Sequence, residues 1–391
     1  MKVFLKLLKY PITKQWKISK NKLYLKNIIL LILFFIFSSC IRFKIDDMNP
    51  SLVARIRLGV ELDKLQAEVL NNSLVNVPLR IPINSDRFYI TDYKNSLLKV
   101  FLRNGKLDYI IGKPEQKQED IKIMEMRIVV PGLVAVSEDD EIYIQNRISS
   151  AISTNEEIKD RFLLASGYFS MREYIHAPSY IQAINRNKDE FYNIGMEGKN
   201  TEPFRYIESM TTGNNGSLFV LHKIADQLVL SQYINGTMIG KISESNLKIF
   251  DSEESLKYNI ILDNIIPIRT GEYALLSFKF SGKSDDRFKF RRVYRYQFNS
   301  DNSSVLLKEF LDPSEVLLGV KTNGDFFIWE TETGGNTVKI QVHDKEGNHI
   351  SNKRLTFSNP RILWRETYMD YKDLIYSLRI DAGYLEIYEW K

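Results

Sequence analysis

An all-β fold built from repeated four-stranded units is predicted by three observations. Short apolar runs recur with turn residues between them, in groups of four spanning about 35 residues, the size of one blade of a β-propeller. Asn-Gly pairs separate adjacent runs at Asn104-Gly105, Asn235-Gly236 and Asn323-Gly324, and Asn-Gly is the strongest short-range hairpin signal because both central residues of the tightest turn need positive φ. Aromatic residues reach 12%, with 21 Tyr and 22 Phe, and aromatics favour strands. Together these predict a six-bladed β-propeller. Seven blades, with an inserted segment supplying one, is the alternative; a β-sandwich leaves the repeated turn rhythm unexplained.

The units follow in order. Leu79–Ile83, Phe88–Asp92, Leu97–Leu102 and Leu107–Ile111 form the first. Val130–Val136, Glu141–Gln145, Tyr180–Asn185 and Glu190–Gly195 form the second, interrupted by an insert at about 147–178. Ile207–Thr212, Ser217–Lys223, Leu228–Ile234 and Met238–Ile242 form the third. Ile260–Ile268, Glu272–Phe278, Phe288–Phe298 and Ser304–Phe310 form the fourth. Val316–Lys321, Asp325–Thr331, Thr337–Val342 and Ile350–Leu355 form the fifth. The last unit, Arg361–Tyr368, Leu374–Arg379 and Tyr384–Trp390, lacks a strand. Leu52–Leu58 is its expected donor: paired beside Tyr384–Trp390 it closes the ring and removes an open edge.

The net charge of +5 is concentrated at one end. Residues 1–39 hold eight lysines and no Asp or Glu, so residues 40–391 carry −3; nucleic acid is not an expected partner. Ile28 to Phe37 is an unbroken apolar run of ten residues, half of the roughly 20 a spanning helix needs. A basic segment, such a run and small residues make a secretory signal. Ser38, Ser39 and Cys40, the single cysteine, follow. The arrangement resembles a bacterial lipoprotein signal, with Phe37 and Ser39 where Leu and a smaller residue are usual. The resemblance implies cleavage before Cys40, lipidation of Cys40 and a place in the cell envelope. On this reading residues 1–39 are the signal peptide, 40–50 a short membrane tether and 51–391 the propeller.

The wording of the first unit, RFYITDYKNSLLKVFLRNGKLDYIIG, resembles the NHL-type propeller repeat, with Asp92, Asn95, Val100, Phe101, Gly105 and Gly112 at its marked positions. Those residues serve turns and packing. With RIRLGVELDKL, PFRYIE at 203–208 and GVKTNGDFFIW at 319–329, the chain is similar to a group of uncharacterised spirochaetal envelope lipoproteins, which implies location and fold and no activity.

Catalytic patterns are missing from the sequence: no GxSxG, Walker loop or GxGxxG helix start occurs, and His176, His222, His343 and His349 are scattered. One Cys and four His exclude a disulfide scaffold and a Cys/His zinc cluster. No cofactor is expected. His222 reads as a packing residue, and Glu138-Asp139-Asp140-Glu141 as a hairpin turn rather than a Ca²⁺ loop. Arg287, Lys289, Arg291 and Arg295 share one parity of a strand whose other parity is aromatic, so they are candidates for an anionic docking strip. Thr154-Asn155-Glu156-Glu157 is a capping-box signature for a short helix at about 155–165 inside the insert. The expected function is a non-catalytic protein-binding or scaffold role beside a membrane, with an envelope protein as partner; a hydrolase or lyase working in the central funnel is the alternative.

Overall fold

The structure is a computed structural model. It describes residues 45–391 except 67–68, 71–72, 75–80, 85, 93–94, 129–130, 148–178, 186–189, 196–202, 226, 248, 251, 299–303, 332–336, 358–363 and 371.

Six antiparallel sheets form the six blades of a propeller. Blade 1 is Ile83–Asn84, Arg87–Asp92, Leu97–Leu102 and Leu107–Gly112; blade 2 is Pro131–Val136, Glu141–Arg147, Ser179–Asn185 and Glu190–Ile194. Blade 3 is Tyr206–Thr212, Leu218–Ile224, Gln227–Ile234 and Thr237–Ser243; blade 4 is Tyr258–Pro267, Tyr273–Gly282, Phe288–Gln297 and Ser304–Phe310. Blade 5 is Val316–Val320, Phe326–Thr331, Thr337–His343 and His349–Thr356. Blade 6 has three consecutive strands, Trp364–Met369, Ile375–Asp381 and Tyr384–Trp390, and takes its fourth from Pro50–Arg57. That strand lies antiparallel on Tyr384–Trp390, with Pro50 opposite Trp390 and Arg57 opposite Tyr384. The ring closes as the strand count requires.

Two additions were not legible in the pattern. Ile45–Met48 runs parallel to His349–Thr356 as a fifth strand of blade 5. Lys122–Met124 does the same beside Leu107–Gly112 of blade 1. Among the described residues, pairing begins at Ile45 rather than near Ser51, because the parallel edge of blade 5 accepts a four-residue segment too polar, IDDM, to read as a strand. A six-residue helix, Ser252–Lys257, also precedes blade 4.

The hydrophobic core divides among the seams between blades. Ala54, Ile56, Phe88, Phe101, Leu378 and Ile387 pack between blades 6 and 1, whereas Tyr89, Leu98, Val100, Ile142 and Ile144 pack between blades 1 and 2. Both faces of a blade are thus buried, so runs such as LLKVFL are apolar on both parities, Lys99 excepted, rather than alternating. The NHL-like positions are used locally. Asp92 accepts a hydrogen bond from Asn95 Nδ2 at 2.9 Å and forms a buried ion pair with Lys99 at 2.7 Å.

The Asn-Gly turns differ from expectation. At Asn235-Gly236 both residues have positive φ, 48° and 79°. At Asn104-Gly105 and Asn323-Gly324 only the glycine does, and Gly105 N–H and Gly324 N–H bond back to the carbonyls of Leu102 and Lys321. These are three-residue hairpins with a glycine bulge. Gly105 also meets its neighbour closely: a Cβ there would lie 2.1 Å from the carbonyl oxygen of Arg55 in the closing strand.

Candidate functional site

The first strand of each blade lines the central channel. A cavity of about 190 Å³ sits there, walled by Ile83, Val136, Met210, Ile265, Val320 and Tyr368, one from each blade. These strands are innermost in their sheets, so their outward-facing side chains meet around the axis. Two charged residues reach the same cavity, Arg269 just beyond Tyr258–Pro267 and Asp370 just beyond Trp364–Met369. Each belongs to a turn that follows the first strand of its blade, so both mark one mouth of the channel. Neither was singled out from the sequence. No spacing marks them, because they come to one cavity only when the ring closes.

Arg269 donates from Nε to Thr212 O and from Nη2 to Glu138, each at 3.4 Å, tying blade 4 to blades 3 and 2. Asp370 Oδ1 accepts from the backbone N–H groups of Lys372 and Leu374, both at 2.9 Å. Burial pushes its carboxyl up to about 6, against those two hydrogen bonds. Asp373 on the same turn is also raised by burial, with Lys321 and Arg269 acting in the opposite sense. Among the described residues no group of three His, Cys, Asp or Glu is placed to hold a metal ion.

The structure separates the four basic candidates of blade 4. Arg287 is exposed in a turn, its N–H bonded to Asp285. Lys289 pairs with the same Asp285 at 2.9 Å. Arg291 is buried at the blade 4–5 seam, paired with Asp263 at 2.9 Å and donating to the carbonyl of Glu315. Arg295 lies over the Tyr273 ring at 5.7 Å and reaches Lys345 O at 3.4 Å. The parity argument put all four on one face. That face packs toward blade 5, so it is a seam at its middle and meets solvent at its ends. The opposite parity packs as expected, with Phe290, Tyr294 and Tyr296 in the blade 3–4 core.

The acidic cluster is a hairpin turn whose residues are held by partners, Glu138 by Arg269 as above. Asp140 accepts from Asn84 at 2.5 Å, and Glu141 accepts from Tyr143 and Tyr192, each at 2.8 Å. His222 is buried, edge-on to Phe204 and bonded to Ser231 at 3.0 Å; burial lowers its pKa to about 4. Cys40, the apolar run, and the insert with its helix at 155–165 lie outside the described residues. The insert's stem is described: Arg147 and Ser179, its flanks, are register partners in blade 2.

No family model and no curated protein matches the chain. Solved structures do. The β-propeller domain of the Trilobed protease from Pyrococcus furiosus aligns at 10% identity and TM-score 0.44, covering 81% of this chain and 80% of that one. Hydrazine synthase of Kuenenia stuttgartiensis aligns at 10% and 0.40, covering 80% and 95%. The β-propeller domain of Cps50 (Swd1) from Myceliophteria thermophila aligns at 8% and 0.40, covering 80% and 97%. At these scores none bears on function, and the fold assignment rests on the strand pairing of this chain itself.

Proposed function

We propose that this chain is a lipid-anchored propeller of the cell envelope, a binding or scaffold module held against a membrane through Cys40. The observation that carries the reading is that Ile45 is already paired with the ring, opposite Asn352. At most residues 41–44 then separate Cys40 from the first paired residue, a span of about 14 Å at full extension. So short a link favours a module that works at the membrane surface over one that ranges far from it. The resemblance to NHL-type repeats and to spirochaetal envelope lipoproteins belongs to the same reading. The insert at 148–178 is the natural docking element: ladder pairing is complete up to its flanks, so blade 2 needs none of it, and long loops on rigid scaffolds carry function.

Fatty-acid labelling of cells tests the anchor: the wild type takes up label and Cys40→Ser does not. Crosslinking in intact envelopes, with and without residues 150–176, tests the docking element. Loss of a specific crosslinked protein with unchanged melting supports it; an unchanged set of crosslinks removes the insert from the proposal. Catalysis in the funnel is the competing reading. Asp370 favours it to this extent, that a carboxyl held near pH 6 suits a general acid.

A further inference from the structure

Four aliphatic side chains stand in solvent along one stretch of the rim of the ring, each between 38% and 48% exposed. Val305 and Leu306 lie on Ser304–Phe310, the outermost strand of blade 4. Ile45 begins the outermost strand of blade 5. Ile350 lies on the strand beside it, just before Asn352, the register partner of Ile45. The two blades touch here. A Cβ on Gly347, in the turn that leads to Ile350, would collide with the carbonyl of Leu307, the residue after Leu306. Exposed aliphatic residues scattered singly need no explanation, but a cluster on one rim marks a contact surface.

Cations border these side chains. Arg295 is the register partner of Val305 and donates to the carbonyl of Lys345 at 3.4 Å. Lys308 follows on the Val305 strand, close enough to blade 5 to add to the burial that lowers the pKa of His343. Lys345 is exposed, with Glu346 at 3.9 Å. Among the described residues neither Arg295 nor Lys308 forms an ion pair. The acids of the same rim are matched. Asp46 and Asp47 are register partners of Lys353 and Arg354, with Asp47 3.7 Å from the Arg354 guanidinium. Glu309 pairs with Arg292 at 2.8 Å, and Asp344 accepts from Asn348 at 2.9 Å.

We propose that this rim of blades 4 and 5 rests on the lipid surface that holds the Cys40 anchor, with Ile45, Val305, Leu306 and Ile350 entering the headgroup layer and Arg295, Lys308 and Lys345 meeting anionic headgroups. The inference rests on the anchored reading above and adds to it which side of the ring meets lipid. The length of chain before the patch selects the occupant. Ile45 is itself part of the patch, and at most residues 41–44 separate it from Cys40, a reach of about 14 Å. Blade 2 lies on the far side of the six-bladed ring and is beyond that reach. Binding at a membrane interface grows with buried apolar area and with attraction to anionic lipid, and a single acyl chain holds only marginally without such a second contact. The rim supplies both terms next to the point of attachment.

Residues 40–391 contain every strand of the ring and the single cysteine. Coupled through Cys40 to a maleimide-bearing lipid in vesicles, this chain is followed by hydrogen exchange. On phosphatidylglycerol vesicles, segments 304–311 and 344–352 are expected to exchange at least about threefold more slowly than in the uncoupled protein. Phosphatidylcholine vesicles should protect them less, and residues 190–194 of blade 2 should be unchanged on both. Val305→Ser with Ile350→Ser, and separately Lys308→Glu with Lys345→Glu, should each remove most of the protection while melting stays within a few degrees of wild type. Exchange unaffected by vesicles would overturn the proposal and leave the patch to a protein partner. So would protection confined to another rim, protection no greater on phosphatidylglycerol than on phosphatidylcholine, or protection that survives both pairs of substitutions. The coupling supplies the anchor chemically, so missing protection counts against the patch, whereas missing fatty-acid label in cells counts against the anchored reading.

Discussion

Two strands from one stretch of chain are added to neighbouring blades, and they are not equivalent. Pro50–Arg57 supplies the fourth strand of blade 6 and carries Ala54 and Ile56, 3% and 0% exposed, into the seam with blade 1. Ile45–Met48 adds a fifth strand to blade 5, and of its four residues only Met48 is buried. Backbone pairing is common to both. Apolar burial between blades belongs mainly to the first. Ladder hydrogen bonds replace bonds to water and contribute modestly, whereas each buried aliphatic side chain adds about 1.5–3 kcal/mol. Closure of the ring is therefore a packing event that uses a strand, rather than a strand pairing that happens to pack.

The largest test of that difference removes each strand in turn. Without residues 50–57 the edge of Tyr384–Trp390 and the blade 6–1 core it covers are exposed, and the cooperative melting transition is expected to disappear. Starting the chain at Asn49 instead should keep the transition and lower stability by about 1 kcal/mol. At single residues, Ile56→Ala should cost about 2–5 kcal/mol, and Ile45→Ala less than about 0.5 kcal/mol, in denaturant melts.

Glycines at the two sides of the closing sheet sharpen the comparison further. Gly105 and Gly383 have nearly the same backbone, φ of 81° and 82°. A Cβ at Gly105 would collide with Arg55 O at 2.1 Å, while one at Gly383 would meet nothing within 4 Å. Gly383→Ala should cost about 1 kcal/mol, from the left-handed backbone alone. Gly105→Ala should cost about 2–4 kcal/mol, the excess measuring how tightly the blade 1 turn presses on the closing strand.

Blades 5 and 6 should also respond oppositely to pH. His343 is buried in blade 5, stacked on Phe326, and burial lowers its pKa to about 4. Unfolded, it titrates near 6.5, so between 6.5 and 4 the unfolded chain binds more protons and stability falls as the pH is lowered. Asp370 in blade 6 is raised from 3.8 to about 6. Between those values the folded chain binds more protons, so stability falls as the pH rises. His343→Gln should flatten the acid limb and Asp370→Asn the opposing one, each by roughly 1–3 kcal/mol between pH 4 and 6.5. The smallest expected effect is a gain. Ala382 and Gly383 form the two-residue turn before Tyr384–Trp390, and Ala382 has φ of 44°. Ala382→Asn, which tolerates that region, should stabilise by about 0.5–1 kcal/mol.

The fold was readable where local chemistry repeats. Strand limits in blades 1 to 6 fall within a few residues of the apolar runs, and a three-stranded last unit pointed to its donor at Leu52–Leu58. Reading failed where identity of residues says less than their neighbours. Lys122–Met124 and Ile45–Met48 are too short to show a period, and they are strands only because a finished blade offers an edge. Arg291 shares parity with Arg287 and Lys289, yet it is buried, paired with Asp263 of the first strand of blade 4 and donating to the carbonyl of Glu315 in the connection to blade 5.

The sequence by itself determined the class of fold and the closure of the ring, and it left seven blades as an alternative to the six that the structure shows. These follow from turn chemistry and apolar spacing, which act within about ten residues, and from a count of strands that must come out even. It also placed Cys40 after an apolar run and so set the expected anchor. Only the tertiary structure decided which charged residues are seams and which are surfaces, and that Asp370 reaches the central cavity. A residue's solvation depends on groups hundreds of positions away, brought to it by a ring whose six blades contribute one wall each.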